Sequence, residues 1–153
     1  MEAKFISGSG KHRAKTGSHP EVWLAVQGFL VAFLWEMLQM PFYVMDGMTA
    51  WAVTKSCALA SLGDAGIMVG AAWIADRLTG GGLWRERLTS RPVGIFLGVG
   101  LGATAAIEWM ALRTDWGWSY SQSMPTLFGI GVVPLAMWVV VPLASLGLAR
   151  RMA

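Results

Sequence analysis

Four stretches of this chain, residues 22–43, 57–74, 93–112 and 127–148, run on with hardly a charge, each near the ~20 residues that a helix needs to cross a bilayer. In hydrocarbon every backbone N–H and C=O must find its partner inside the protein, and a helix satisfies them within one segment. A barrel strand would alternate polar and apolar residues over about 10 positions, whereas these runs are apolar on all sides. The expected fold is therefore all-α: a polytopic membrane protein built as a four-transmembrane-helix bundle. Residues 1–20 form a polar basic tail, 21–149 the membrane domain and 150–153 a short C-terminal end. Composition agrees, since only 14% of the 153 residues are charged and 55% are hydrophobic, against about 25% charged in a soluble domain. A soluble enzyme is excluded.

The basic residues set an expected orientation. Lys4, Lys11, Arg13 and Lys15 precede the first span, Arg77, Arg85, Arg87 and Arg91 fall between the second and third, and Arg150 and Arg151 follow the fourth. Only Lys55 and Arg113 fall on the other side. The positive-inside rule then expects both termini in the cytoplasm of a cell whose inner or plasma membrane holds the chain, with connections 44–56 and 113–126 outside. The first span exceeds the ~7–15 residues of a signal-peptide core and lacks a small-residue cleavage site, so it is expected to stay as a helix.

The net charge of +3 is absorbed by this topology signal, and no nucleic-acid partner is expected without a basic motif. The segment SGSGKHR in the tail lacks the first glycine of a phosphate loop and any preceding strand. Cys57 is the single cysteine, and both histidines, His12 and His19, lie in the tail. No imidazole is available inside the spans, so no haem held by protein histidines is expected there. Beyond that the cofactor is unknown, and membrane lipid is the one partner the composition implies.

Small residues let helix backbones approach closely in lipid. Gly94, Gly98 and Gly102, with Gly100 nearby, face Gly66 and Gly70 in this reading, which makes the second and third helices the expected tight pair. A homo-oligomer seam is the alternative use of the same stripe. Of nine tryptophans, Trp23, Trp51, Trp84, Trp116 and Trp118 fall near the membrane interfaces where an indole keeps its N–H wet, while Trp35 and Trp109 adjoin intramembrane acids. Met37 and Met40, with Met45 and Met48 nearby, are weak candidates for holding Cu(I), although flexible packing is the default for methionine.

Three acids interrupt the spans: Glu36 in the first, Asp64 in the second and Glu108 in the third. Counted at about 1.5 Å per residue from the outer ends of the spans, all three sit at a similar depth. An ionisable group in a span costs at least about 2.5–3.5 kcal/mol and faces the bundle interior, a cavity or a partner charge. Gln39, Ser61 and Thr104 lie one turn from Glu36, Asp64 and Glu108 and extend the cluster. Pro134 is expected to kink the fourth helix at nearly the same depth, Pro41 to end the first and Pro125 to start the fourth. The connection RTDWGWSYSQSMP, with Asp115, Trp116, Trp118, Tyr120 and Gln122, is a candidate roof. The acids could also fix the bundle without a ligand, capping helix ends or pairing with Arg113.

Carboxylates and aromatic faces stabilise cationic centres. The expected function is a carboxylate-lined pocket near the outer side of the bilayer that binds, and in the catalytic version transforms, a hydrophobic isoprenoid-, sterol- or pigment-like molecule. Ligand-binding or proton-relay candidates are Glu36, Asp64, Glu108, Gln39, Ser61, Thr104, Trp35, Trp109 and Tyr120. Two alternatives stand beside it. One is a non-catalytic accessory subunit of a larger respiratory or light-harvesting membrane complex; the other is a proton-coupled small-cation transporter, against which no inverted repeat relates residues 22–74 to 93–148.

Overall fold

The structure is a computed structural model, and it describes residues 20–81, 85, 88–114 and 118–152. Four long helices carry it: α1 (Pro20–Gln39), α2 (Ala50–Thr79), α3 (Ser90–Ala111) and α4 (Val132–Met152). Each is long and apolar enough to cross a membrane, with α1 continued by the 3-10 turn Met40–Phe42. The chain is thus a multi-pass, all-α membrane bundle. The tail before Pro20, together with Trp84, Arg87, Asp115 and Trp116, lies outside the described residues.

Local chemistry explains the helix ends. Pro41 has no N–H to continue α1, and the chain tightens into the 3-10 turn before Tyr43 turns extended. Thr49 caps α2 by accepting from the Ala52 N–H at 3.2 Å, and the helix starts at Ala50, seven residues earlier than the expected start at Cys57. Its two extra turns are amphipathic rather than apolar, with the Lys55 ammonium 5.8 Å from the Trp51 ring centre. Gly80 closes the helix at φ 79°, a left-handed conformation that glycine adopts without a Cβ penalty.

The fourth span departs most from expectation. Residues 126–131 form an antiparallel hairpin, β1 (Thr126–Leu127) and β2 (Ile130–Gly131), with Thr126 opposite Gly131 and Leu127 opposite Ile130. Phe128 at φ 53° and Gly129 at φ 80° make its two-residue turn, the geometry whose twist matches paired strands. Pro125 therefore precedes a hairpin, its carbonyl accepting from the Val132 N–H at 2.8 Å. Pro134 is the third residue of α4, where no intrahelical bond is lost, and it does not kink the helix. The proline inside α4 is Pro142, buried.

Helix packing also differs from the glycine-stripe expectation. The buried face of α3 is the every-fourth-residue row Pro92, Phe96, Gly100, Thr104 and Glu108, joined by Ala111. Gly94, Gly98 and Gly102 point outward with open space at the Cβ position, as do Gly66 and Gly70 on α2. The glycine that admits a neighbour is Gly100, where a Cβ would overlap the six-membered ring of the fully buried Trp138. Gly28 plays the same part between α1 and α2, a Cβ there falling 2.9 Å from Met68 Sδ. The α1–α2 pair is the most extensive helix contact, followed by α1 with α4, and α2 with α3. Leu24, Met68, Phe96, Trp138 and Val141 form the shared core.

Gly100→Ala is expected to lower the thermal midpoint of the solubilised protein through an overpacking cost of about 1–3 kcal/mol. Gly98→Leu, on the outward face, should stay within about 0.5 kcal/mol of wild type. Thermal unfolding in one detergent compares the two, and the reverse order would restore the outward stripe as a packing seam.

Candidate functional site: acids under an aromatic roof

Helix direction brings the three acids together. The Met40 and Cys57 sulfurs lie 3.6 Å apart, so the end of α1 is level with Cys57 and not with the start of α2. Glu36 lies four residues below Met40 and Asp64 seven below Cys57, a difference of about 4.5 Å along the axes. Side chains tilt toward the N-terminus of their helix. Since α1 and α2 run in opposite directions, Glu36 leans down and Asp64 leans up, and the two come within Coulombic reach of each other. Glu108 on α3 lies within reach of both.

Each acid has a different set of partners. Glu36 Oε1 accepts from Gln39 Nε2 at 2.8 Å, and Gln39 Oε1 in turn accepts from Trp35 Nε1 at 2.9 Å. Glu108 Oε2 accepts from Trp118 Nε1 at 3.2 Å and from the Tyr120 hydroxyl. The Tyr120 oxygen also receives the Gly131 N–H at 2.8 Å. A Cβ at Gly131 would press to 3.1 Å on the Tyr120 ring, on Met124 Sδ and on Pro134 Cδ, so glycine leaves the ring room beside β2. Asp64 is half-buried, and the donor facing it is the indole N–H of the fully buried Trp138, in looser geometry than the bonds to the other two acids.

The roof is a clasp between two connections. Val44 N–H donates to Ser119 O and Ser121 N–H to Phe42 O, both at 2.9 Å, pairing Tyr43 with Tyr120 as an antiparallel bridge. The hydroxyls of Ser121 and Ser123 both donate to the Pro41 carbonyl, at 3.0 and 3.2 Å. The Tyr43 ring meets Tyr120 and Trp118 edge to face, at 5.7 and 6.5 Å between centres. Tyr43 is 8% exposed, and its hydroxyl feels the negative charge of Glu108 first, then of Glu36.

Of the expected site residues, Glu36, Asp64, Glu108, Gln39, Trp35 and Tyr120 join this network. Ser61 is buried one turn above Asp64, but its hydroxyl donates to the Cys57 carbonyl at 2.7 Å, a helix back-bond. Thr104 is buried on the acid-bearing row of α3 without a hydrogen bond to Glu108 among the described residues. Trp109 stays outside the site: it is 52% exposed and stacks under the Arg113 guanidinium at 4.2 Å. Arg113 itself donates to the Trp109 carbonyl, so it does not neutralise the acids. Met37 faces outward while Met40 faces Cys57, so the two candidate copper ligands do not converge. Gln122 is exposed.

Tyr43 and Trp138 belong to the site and carry no mark in the sequence reading, which includes Trp118 in the candidate roof. For Trp118 and Tyr120 the available signal was the alternation W-x-Y at 118–120, which puts both side chains on one side of an extended segment.

No protein-family model, curated protein or solved structure matches the chain. A second feature lies outside the acid cluster: a groove of about 590 Å³ along α1 and α2, lined by Ala25, Val26, Phe29, Leu30, Leu62, Ala65, Gly66 and Val69. It sits about two turns along α1 from Glu36, and its walls are apolar.

Tyr43 and Tyr120 are the only tyrosines. Burial first, then the negative charge of Glu108, pushes the Tyr43 phenol above its ordinary range; burial and the bond to Glu108 do the same for Tyr120. Both stay neutral in the folded chain at pH values where unfolded tyrosine ionises, so stability falls as pH rises past about 10. Phenolate ultraviolet absorbance should therefore appear only together with unfolding. A full two-tyrosine signal from an intact fold near pH 10 would place these hydroxyls in water.

Proposed function

We propose that this chain binds a hydrophobic molecule of isoprenoid, sterol or pigment type from the lipid phase, with its polar end at Glu36, Asp64 and Glu108. The observation that carries the reading is the uncompensated acid cluster. Three carboxyls from three helices, Glu36 and Glu108 buried and Asp64 half-buried, lie within Coulombic range of one another, and among the described residues the ion pairs join Arg85 to Glu21 and Asp76 at the other end of the bundle. Buried carboxyls without a counter-cation are expensive as bare structure, and intramembrane acids mark ligand or proton paths. The aromatic clasp of Tyr43, Trp118 and Tyr120 lies against the acids, and the apolar groove offers hydrocarbon a place alongside α1 and α2. If the bound molecule is transformed, the acids are the groups available as acid, base or stabiliser of a developing cation.

The orientation that fits this reading has both termini cytoplasmic and the roof outside, as the basic residues suggest. The outward-facing glycines Gly94, Gly98, Gly102, Gly66 and Gly70 favour a second reading, in which the same chain also packs against another membrane helix, as a homo-oligomer or as a subunit of a larger complex.

Native mass spectrometry of the gently solubilised full-length chain tests these readings together. One apolar molecule per chain is expected. Glu36→Gln and Glu108→Gln should reduce its occupancy about tenfold, some 1.4 kcal/mol, with little change in thermal stability. Unchanged occupancy with lowered stability would make the cluster a packing device, and copurified protein subunits without a ligand would put the accessory role first. Reporter fusions at residues 50 and 120 should both read as external; a cytoplasmic signal at either defeats the orientation.

A further inference from the structure

The longest uncharged run of the chain extends well beyond its helix. Residues 116–149 carry no charge, yet α4 begins only at Val132, so uncharged sequence continues through the β1–β2 hairpin. The protein holds the foot of this hairpin, where Met124 and Gly131 are buried. Its tip is bare. Leu127 is 53% and Phe128 97% exposed, so the Phe128 ring touches almost nothing of its own chain.

The backbone sharpens the point. Phe128 takes φ 53°, a left-handed conformation that bulky residues rarely adopt and that asparagine or glycine fills in such turns. A benzyl side chain adds nothing to the turn and is carried there against local preference. What it contacts must lie outside the chain.

Depth decides what lies there. The Gly131 N–H donates to the Tyr120 hydroxyl at 2.8 Å, and that hydroxyl donates to Glu108, so the foot of the hairpin is two hydrogen bonds from a carboxyl one turn inside the end of α3. Arg113, the first charge beyond α3, lies about 7.5 Å further along the axis than Glu108, with its guanidinium over the exposed Trp109 ring, a pairing typical of the membrane interface. Phe128 is three residues from Gly131, at most about 10 Å away. The headgroup zone is itself about 5–8 Å deep, so the tip stays within the lipid layer whichever way the hairpin points. It does not lie deeper, because a two-stranded sheet has open edges and hydrocarbon offers their N–H and C=O groups no partner. At the interface the backbone meets water and headgroups while the ring meets acyl chains.

We propose that the β1–β2 hairpin is an interfacial anchor, with Phe128 and Leu127 inserted among the acyl chains of the adjoining leaflet and the hairpin backbone at headgroup level. The inference rests on the membrane-spanning bundle alone and stands whether or not the acids hold a ligand.

The test uses the full-length chain in nanodiscs of phosphatidylcholine, with p-benzoylphenylalanine in place of Phe128 or, in a second sample, of the exposed Gln122 on the same connection. On irradiation the benzophenone takes a hydrogen from a nearby C–H bond and couples to that carbon, so mass spectrometry reads what each position touches. Phosphatidylcholine adducts should form at position 128 at least about fivefold more than at 122. Equal yields at the two positions, or no adduct at 128, would overturn the anchor. A chain-to-chain crosslink at 128 in place of the lipid adduct would also overturn it, in favour of a second copy as the partner. Hydroxyl-radical labelling of the wild-type chain in the same nanodiscs checks the ring without a substitution. Phe128 should react at least about tenfold more slowly than in a free peptide spanning residues 122–130, as expected of a ring withdrawn from water. Labelling at the rate of the free peptide would place Phe128 in water and overturn the proposal even if the substituted chains fail to fold.

Discussion

A carboxyl placed in hydrocarbon has to be given partners by the protein, because no solvent is there to provide them. Much of the roofed end of this bundle follows from that demand at one residue, Glu108. It lies one turn before the end of α3, and the chain beyond returns over it to deliver Trp118 and Tyr120 to a single carboxyl oxygen. Tyr120 can reach because Gly131 leaves room for its ring and supplies an N–H to its oxygen. The hairpin that carries Gly131 thus delays the start of α4, and this is why the last span begins later than hydropathy alone suggests.

Glu36 is met by a more local solution. Its donor comes from Gln39 on the next turn, and Gln39 is held in turn by Trp35. That relay is closed within α1 and needs nothing from another helix. Asp64 has no counterpart to it: the α2 neighbour expected to help, Ser61, bonds its own helix backbone instead. The donor that faces Asp64 comes from α4, as the indole N–H of Trp138.

The four helices were legible because apolar runs of that length have few other structures open to them. The acids were legible because charges are rare within such runs. Counting residues from the span ends placed them at similar depth through a wrong reference for α2, since that helix starts at Ala50 and its amphipathic first turns carry no hydropathy signal; the reference that holds is Cys57 opposite Met40. Glycine spacing misled, since Gly94, Gly98 and Gly102 make a regular stripe whose direction depends on the neighbours. The decisive glycine, Gly100, is set by the bulk of Trp138, which sequence spacing does not encode. Trp109 was drawn in by adjacency to Glu108, yet consecutive residues on a helix point about 100° apart. Tyr43 and Trp118 act through a bridge between connections some 75 residues apart in the chain, and no local pattern reports such a pairing.

That bridge carries a consequence for how the protein is made. The α1–α2 hairpin can insert as soon as its residues have been synthesised, since its contacts lie between adjacent elements. The Tyr43–Tyr120 pairing and the two serine bonds to Pro41 must wait for the second hairpin, and pairings distant in sequence form late. Until they form, Glu108 lacks its donors and Tyr43 has nothing to pack against. The chain therefore passes through a stage in which its helices span the bilayer and its acids are still open to lipid and water. Completion of the roof then adds a backbone clasp to the contacts of α1 with α4 and of α2 with α3 that hold the two hairpins together.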